Sequence, residues 1–306
     1  MTVLRRTGSI GAFLVERCLP VYPVYLALWV VAVECMIVVV GDASGPWRPS
    51  WDTALKILAL NAAGAFLRMV DDQKDLEYDT LYNPDRPPLV QGRISTRELR
   101  IAMGPAAAVA LLLAATVSVW TAALVALILG YSLVLWGGLE SRVPVVRDNP
   151  IVNLAAACPA QFLATGFAMT GRPGTGAASW LQVAAVLLVF TTAFLHVELA
   201  RKTTRVSDAG DLRSYSRVIG PTASGLTVLV LGMSAVLAEV LLTTPWSWAG
   251  HWCRSPGYPL AAAVLPCMSA WIFFGRRVDS HPRGLPTVFF VIVFYLSIVG
   301  QGLVFH

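Results

Sequence analysis

The stretch RMVDDQKDLEYDTLYNPDRPPLVQGR, residues 68–93, places a dense group of carboxylates directly after a long apolar run. Six of the 18 acidic residues of the chain lie between Asp71 and Asp85. Charges at the edge of a bilayer are costly unless a cation or a polar cavity accommodates them. The stretch therefore predicts a functional site beside a membrane. Its carboxylates and the arginines that follow indicate metal ions and a phosphorylated ligand.

The composition of the chain is typical of an integral membrane protein. Of its 306 residues, 56% are hydrophobic and 13% are charged, and the mean hydropathy is +0.65. This composition excludes an ordinary soluble domain. The five cysteines are scattered, without a CxxC pair or a Cys/His cluster, so we expect neither a disulfide framework nor a zinc site. The net charge of +5 lies in short basic loops, which argues against a nucleic-acid partner and for a lipid bilayer.

Apolar segments of the length needed to cross a bilayer recur along the chain. A hydrocarbon core of about 30 Å requires about 20 mostly apolar residues in each helix. By this measure we predict about nine spans, at roughly 21–40, 52–70, 99–119, 121–139, 149–170, 178–199, 219–243, 257–275 and 285–305. Backbone polar groups must be satisfied inside lipid, and the alternating pattern of a barrel does not occur. The predicted fold class is therefore all-α, a polytopic helical membrane protein.

Basic residues predict the orientation of these spans. Lys and Arg concentrate in the N-terminal segment and in the loops after the second, fourth, sixth and eighth spans. The opposite loops contain only Arg48, Arg172 and Arg254. The positive-inside rule then places the basic loops, including the aspartate-rich one, in the cytoplasm and the C-terminus outside.

Two of the basic loops, after the second and sixth spans, are also the most polar. We interpret residues 1–306 as a single transmembrane domain with two similar halves, at about 21–140 and 149–275, and a final helix at 285–305. Each half would then present one polar loop to the same membrane face.

The aspartates of the first polar loop have helical spacing. Asp71, Asp75 and Asp79 are four residues apart and would share one face of a helix, with Asp72 at its flank. Converging carboxylates repel one another unless a cation lies between them. Hard oxygen ligands suit Mg²⁺, which takes further ligands from substrate phosphates. The prolines that follow would end the helix and form a rigid, cationic turn up to Arg93.

Two other interpretations of the cluster remain open. The aspartates could form a solvated helix end, paired with Arg68 and Lys74 at helical spacing. They could also be the ligands of a cation permease, although acidic residues in the other spans are few, chiefly Glu34 and Glu239. Four aspartates carry more charge than Arg68 and Lys74 neutralise, which favours the metal interpretation.

The same residues carry a resemblance to a known family. Asp71-Asp72-x-x-Asp75-x-x-x-Asp79, followed by NPDRPPLVQGR at 83–93, resembles the first signature of the UbiA superfamily of intramembrane prenyltransferases. That signature reads Asn-Asp-x-x-Asp-x-x-x-Asp and continues into Lys/Asn-Pro-x-Arg-Pro and Gly-Arg. The family fold, a bundle of about nine helices with a central cavity, matches nearly the whole chain. One departure is Asp71, which stands where the family usually has Asn.

The resemblance implies a cofactor, a substrate and a set of site residues. Mg²⁺ would be held by Asp71, Asp72, Asp75 and Asp79 and would bridge to an isoprenoid diphosphate. Of these aspartates, Asp72, Asp75 and Asp79 would also be catalytic. Phosphate oxygens would be contacted by arginines at Arg68, Arg86 and Arg93. Ionising an allylic diphosphate places charge on the leaving group, and a metal ion with nearby guanidinium groups stabilises that charge.

The loop after the sixth span departs from the family pattern. Most relatives carry a second Asp-x-x-x-Asp there, whereas the nearest match here is Glu198-x-x-x-Lys202. We predict Glu198 as a metal ligand and catalytic residue. Lys202, also catalytic, would bind diphosphate together with Arg201 and Arg205. Alternatively, these cations only follow the positive-inside rule, or Lys202 matches the Tyr-x-x-x-Lys of a superfamily branch that uses phosphoribosyl diphosphate.

Further residues of this loop are weaker candidates. Asp208, Asp211 and Tyr215 could supply additional ligands if the loop folds back. His196 could be a base, although a histidine at a helix end is more often a packed residue.

The resemblance leaves two reactions open. The prenyl group could be transferred to a hydrophobic or aromatic acceptor, which is the common chemistry of the family. It could instead cyclise on its own double bonds, as in UbiA-type terpene cyclases. The exchange of an acidic residue for Lys202 removes an obvious means of acceptor activation and brings cyclisation close to parity with transfer.

Overall fold

The chain is built from α-helices. The computed structural model describes residues 2–41, 45–82, 84–85, 88–172, 176, 178–205, 214–244, 257–276 and 278–304. Within these ranges no β-strand occurs, and Thr204 and Ser280 form an isolated antiparallel bridge. The predicted all-α class is confirmed.

The described residues form thirteen α-helices. In chain order they are α1 Thr2–Cys18, α2 Val21–Val40, α3 Trp51–Lys74, α4 Leu76–Tyr82, α5 Thr96–Val117, α6 Val119–Val134, α7 Pro144–Asp148, α8 Pro150–Met169, α9 Trp180–Arg201, α10 Tyr215–Ile219, α11 Pro221–Thr243, α12 Gly257–Gly275 and α13 Phe289–Val304. Where the structure describes the chain, two π-helical segments adjoin these helices, Leu135–Glu140 after α6 and Arg283–Val288 before α13.

Most of the predicted spans have the length and composition of membrane-crossing helices. In the described part of the chain, eight helices are long and apolar enough to cross a membrane. The stretch Pro259–Gly275 of α12 is apolar but shorter. The prediction of about nine spans is thus confirmed for eight of them, and the ninth falls on a shorter apolar helix.

Serine residues mark the beginnings of three long helices. At the start of α5, Ser95 Oγ accepts from the Glu98 N–H at 3.2 Å and Glu98 Oε2 accepts from the Ser95 N–H at 2.8 Å, a capping box. Ser50 and Ser179 begin α3 and α9 with the same arrangement. Because α3 begins at its cap and runs for 24 residues, Asp71 and Asp72 lie in its last turn, at the far end of the span.

The described structure divides into two compact units. The first comprises Met1–Val30 and Pro49–Arg142, and the second comprises Val31–Arg48 and Val143–His306. The division of the chain into two similar halves and a final helix stays a prediction, because compactness does not measure internal similarity.

In the first unit α3 is the central helix. It packs along α5 and against α6, and the N-terminal helix α1 packs on both α3 and α5. Leu60, Ala63, Phe66 and Val70 of α3 are buried, as is Phe13 of α1. Burial of these apolar side chains holds the end of α3 between its neighbours, and the aspartates follow immediately.

In the second unit α9 and α11 form the main helix pair, and α12 packs against α11 and α13. Glycines of α11 permit the close approach. A Cβ at Gly225 would lie 2.7 Å from the Phe273 ring, and one at Gly232 would lie 2.9 Å from His196 Nδ1. This close packing fixes the position of α9, whose C-terminal turns carry the second polar segment.

Candidate functional site

The predicted carboxylate cluster lies at the junction of α3 and α4. α3 ends at Lys74, Asp75 caps it, and α4 begins at Leu76. The Asp75 N–H still donates to the Asp71 carbonyl at 2.9 Å, and the Asp79 N–H donates to the Asp75 carbonyl at 2.8 Å. The prediction of one unbroken helix is wrong, but the four-residue backbone register that it required is retained.

Asp72 is buried, with 2% of the residue exposed. Arg17 Nε and Nη2 donate to its Oδ2 and Oδ1 at 2.9 and 2.7 Å, which makes a bidentate pair. Arg68 Nη2 lies 2.9 Å from the same Oδ1. A buried carboxylate is costly without such compensation. Asp72 is therefore held between guanidinium groups of α1 and α3.

Lys74 lies within the cluster and pairs with carboxylates on both sides. Its Nζ is 3.5 Å from Asp71 Oδ1 and 3.3 Å from Glu140 Oε2. Glu140 is the last residue of the π-helical segment and is buried. Sequence reasoning missed Arg17 and Glu140 as members of this site. The available signals were an arginine closing an amphipathic N-terminal helix and an acidic residue closing the fourth span.

The turn after α4 is ordered around Gly92 and Arg93. Gly92 has a φ of +68°, and the Arg93 N–H donates to the Pro88 carbonyl at 2.9 Å. Arg93 Nη2 donates to Glu16 Oε1 at 2.7 Å. This hydrogen bond, together with the charges of nearby arginines, lowers the pKa of the Glu16 carboxyl. Arg86, the other arginine predicted to contact phosphate in this turn, lies outside the described residues.

The second predicted segment lies at the C-terminal end of α9. Glu198 accepts hydrogen bonds from Arg201 Nη2 at 2.8 Å and Nε at 3.0 Å, and Lys202 Nζ lies 2.8 Å from its Oε1. The centre of the Tyr215 ring lies 5.6 Å from Lys202 Nζ. Burial, and then the Glu198 charge, raise the pKa of Tyr215. The structure thus brings Glu198, Arg201, Lys202 and Tyr215 together.

Other predicted residues of this segment lie apart from that group or outside the described residues. Arg205 Nη2 donates to the Phe273 carbonyl at 2.8 Å, and the Arg205 guanidinium carbon lies 4.7 Å from the centre of the Phe273 ring. The Arg205 side chain therefore packs at the end of α12. Its role in binding diphosphate stays a prediction. Asp208 and Asp211 lie outside the described residues.

His196 is a packed residue of the second unit. It is completely buried, its Nδ1 is 2.8 Å from the Val228 carbonyl oxygen, and its ring meets that of Phe290 edge-on. These contacts favour the structural interpretation of His196 over a role as a base.

The sequence model of the UbiA prenyltransferase family matches residues 26–298. The matched region covers most of the chain and contains both polar segments. The chain belongs to the UbiA prenyltransferase family. Together with the eight apolar helices of spanning length among the described residues, membership of the UbiA family makes it an integral, multi-pass membrane protein. No curated protein sequence matches it significantly.

Solved structures of UbiA proteins share its fold. A UbiA homologue from Archaeoglobus fulgidus bound to DMAPP and Mg²⁺ is 18% identical, with 92% of this chain and 98% of that chain covered and a TM-score of 0.59. An apo UbiA homologue from Aeropyrum pernix K1 is 16% identical, with 90% and 96% covered and a TM-score of 0.56. A digeranylgeranylglyceryl phosphate synthase structure is 13% identical, with 99% of each chain covered and a TM-score of 0.60. At these identities the likeness establishes the fold.

The donors at the α3–α4 junction of this UbiA protein suit a hard cation that shares its coordination with a ligand. The described residues contain no group of three His, Cys, Asp or Glu side chains arranged to hold a metal ion. Asp71, Asp75 and Asp79 are partly exposed and offer oxygen atoms on consecutive turns. Mg²⁺ commonly takes one or two carboxylates and completes its coordination with water and phosphate. The donor set therefore fits Mg²⁺ held with a phosphate, and does not fit a closed site made of protein ligands alone.

Proposed function

We propose that the chain is a Mg²⁺-dependent intramembrane prenyltransferase that ionises an allylic isoprenoid diphosphate and transfers the prenyl group to an acceptor. The observation that carries this proposal is the run Asp71, Asp75 and Asp79 at the end of a membrane-length helix, with Arg93 on the ordered turn that follows. Membership of the UbiA prenyltransferase family supports it. The fold shared with a homologue bound to DMAPP and Mg²⁺ supports it further.

The first polar segment supplies carboxylates for a metal ion and guanidinium groups for phosphate, which this chemistry needs. Asp71, Asp75 and Asp79 would hold Mg²⁺, and Asp72 is the fourth proposed carboxylate. When bound, the cation supplies positive charge that stabilises the departing diphosphate. Arg93 offers phosphate oxygens a planar guanidinium fork from a turn of defined conformation. Arg86 has the same proposed role.

The apolar surroundings of the segment suit a reactive prenyl cation. Phe66, Met69 and Val70 are buried on α3 directly before the aspartates. An allylic cation is quenched by water, and a site bordered by apolar helices excludes water from the reacting carbon. The same apolar helices suit a prenyl chain, which is itself a hydrocarbon.

Arg201 and Lys202 are proposed to bind phosphate in place of the second carboxylate pair of the family. Both cations contact Glu198, whose single negative charge they exceed. The segment therefore offers net positive charge, which suits an anionic ligand better than a second metal ion. Glu198 would orient the two cations; its predicted role as a metal ligand stays a prediction.

A UbiA-type terpene cyclase is the alternative function, and the second segment favours it. Lys202 occupies a position where most relatives have an acidic residue, and it is paired with Glu198 at 2.8 Å. A carboxylate pair that could activate an acceptor is thereby lost. Without an activated acceptor, the prenyl cation would react with its own double bonds.

We also propose that the site faces the cytoplasm and that the C-terminus lies outside. The support is the concentration of Lys and Arg in the N-terminal segment and in alternate loops, including both polar segments.

Product analysis with purified protein tests the proposal. The protein in detergent is incubated with Mg²⁺ and geranyl, farnesyl or geranylgeranyl diphosphate, with and without aromatic acceptors. Turnover that requires an acceptor indicates transfer, whereas hydrocarbon or alcohol products without one indicate cyclisation. Asp75→Asn should abolish diphosphate release, whereas Asp148→Asn, at an exposed site on α7, should preserve it. Near-normal release by Asp75→Asn would refute the proposed metal role, and cation uptake into vesicles without diphosphate release would favour a permease.

A further inference from the structure

Two neighbouring charged residues of α1 contact the proposed site, one at a carboxylate and the other at an arginine. Glu16 and Arg17 precede Cys18, the last residue of α1. Arg17 forms the bidentate pair with Asp72 at 2.9 and 2.7 Å, and Glu16 accepts from Arg93 at 2.7 Å. Consecutive residues of one helix therefore contact a residue proposed to bind the metal ion and a residue proposed to bind phosphate.

The charges of these two residues correspond to those of the proposed ligands. Arg17 presents a cation to Asp72, as a metal ion would. Glu16 presents anionic oxygens to Arg93, as a phosphate would. Both oxygens of Asp72 accept from Arg17, and Arg68 shares one of them. A metal ion that takes Asp72 as a ligand must therefore compete with the Arg17 guanidinium for the carboxylate oxygens.

The two pairs differ in exposure, and this difference orders their release. The Glu16–Arg93 pair is open to solvent, with 38% and 48% of the two side chains exposed, so it opens readily. The Arg17–Asp72 pair is shielded, with 18% and 1% exposed. Arg68 on α3 still pairs with Asp72 when Arg17 leaves, so Asp72 is not abandoned as a lone buried charge.

The helix that carries the two residues is not one of the membrane-length helices. α1 is amphipathic and precedes the first membrane-length helix, α2. Its buried side chain Phe13 holds it against the first unit. An amphipathic helix released from such a contact remains favourable at the membrane surface, where its apolar face is buried among lipid headgroups.

We propose that Glu16 and Arg17 form an autoinhibitory latch, which occupies Arg93 and Asp72 in the unliganded protein and is displaced when Mg²⁺ and a diphosphate bind together. This inference rests on the proposed function, which assigns Asp72 and Arg93 to that ligand. If only molecules with an open latch bind the ligand, the apparent affinity is the intrinsic affinity multiplied by the fraction of open molecules. It also keeps the cluster from collecting cations when no diphosphate is present.

Binding measurements on the full chain test the latch. Titration calorimetry with inorganic diphosphate in the presence of Mg²⁺ should give an affinity about tenfold higher for Arg17→Gln and about threefold higher for Glu16→Gln than for the wild type. Arg147→Gln, which breaks an exposed pair with Asp148 on α7, is the matched control and should leave the affinity unchanged. Weaker binding by Arg17→Gln would overturn the latch, since that result is expected of a residue that binds or positions the ligand.

Cys18 reports on α1 independently of affinity. In a variant whose other four cysteines are replaced by alanine, the rate of Cys18 modification by N-ethylmaleimide is measured with and without ligand. Mg²⁺ together with inorganic diphosphate should raise the rate several-fold, and Arg17→Gln should show the raised rate without ligand. An unchanged rate at saturating ligand would overturn the latch alone. A wild type that binds neither Mg²⁺ nor diphosphate would instead refute the proposed function.

Discussion

Lys74 and Glu140 join the end of α3 to the π-helical end of α6, with Lys74 Nζ 3.3 Å from Glu140 Oε2. The same Nζ lies 3.5 Å from Asp71 Oδ1, so one ammonium group is shared between Glu140 and the aspartate cluster. Because Lys74 also pairs with Glu140, its positive charge compensates the aspartates less than it would if it paired with Asp71 alone. The aspartate cluster therefore keeps more negative charge.

Removing the Glu140 charge should therefore weaken metal binding. In Glu140→Gln, Lys74 would turn wholly to Asp71 and its neighbours, and the affinity for Mg²⁺ should fall about fivefold, which corresponds to about 1 kcal/mol of added repulsion. The measurement is a Mg²⁺ titration at fixed inorganic diphosphate. Glu77→Gln, exposed on α4, is the matched control and should have a smaller effect. An unchanged Mg²⁺ affinity in Glu140→Gln would contradict this role.

Loss of the Lys202 charge should weaken substrate binding more than it slows chemistry. Lys202→Met should raise KM for the prenyl diphosphate about tenfold, since a charge-assisted hydrogen bond contributes about 1.5–3 kcal/mol. Lys202→Arg should retain most of the affinity. Arg217→Gln, at an exposed position on α10, tests whether any cation of the segment has the same effect. Equal KM changes in Lys202→Met and Arg217→Gln would indicate a general effect of positive charge and contradict a specific contact between Lys202 and the diphosphate.

Acid should destabilise the second unit through His281. This residue is 1% exposed, and burial, followed by the nearby His196, lowers its pKa to about 4. An unfolded histidine has a pKa of about 6.5. Between these values the unfolded chain binds a proton that the folded chain does not. Stability should therefore be complete above about pH 6.5 and fall, by up to roughly 3 kcal/mol, as the pH is lowered to about 4.

Thermal unfolding in detergent at several pH values measures this dependence. His281→Asn should remove part of the pH dependence, because the asparagine side chain does not titrate. A melting temperature that falls equally in the variant and the wild type would assign the acid sensitivity to other groups.

The close packing of α11 against α12 should make Gly225 intolerant of a side chain. Gly225→Ala places a Cβ 2.7 Å from the Phe273 ring and should lower the free energy of unfolding by about 1–3 kcal/mol. Gly130→Ala in α6, where nothing lies within 4 Å of the added carbon, should be neutral or stabilise by up to about 1 kcal/mol. Denaturant unfolding of both variants is the measurement. Equal stabilities would contradict the packing described for α11.

Much of the fold could be predicted because the relevant signals are local. Membrane-length apolar segments need no partner to be recognised, and the predicted 21–40 and 257–275 coincide with α2 and α12. The interruption at Asp75 was not predictable from spacing, since one residue leaving the helix hardly changes a four-residue pattern. The helical character of α1 was also missed, because this short amphipathic segment lacks the long apolar run of a span.

The charged residues of the site were predicted from the sequence, but several of their contact partners were not. The spacing of Asp71, Asp75 and Asp79 indicated a carboxylate cluster, and the described backbone keeps that spacing. The pairing of Glu198 with Lys202 was also within reach, because the two residues are four apart on one helix. Tyr215 was named only as a candidate, and its contact with Lys202 requires the return of the chain to the end of α9.

The sequence by itself determined the helical membrane class, the family and the position of the aspartate cluster, because hydrophobic length and residue spacing are properties of a contiguous segment. Only the tertiary structure decided which cations neutralise that cluster. Arg17 and Asp72 are 55 positions apart, and Lys74 and Glu140 are 66 apart, so no local pattern connects them. Charge compensation depends on distance in space and on burial, and both arise from the packing of α1, α5 and α6 around α3.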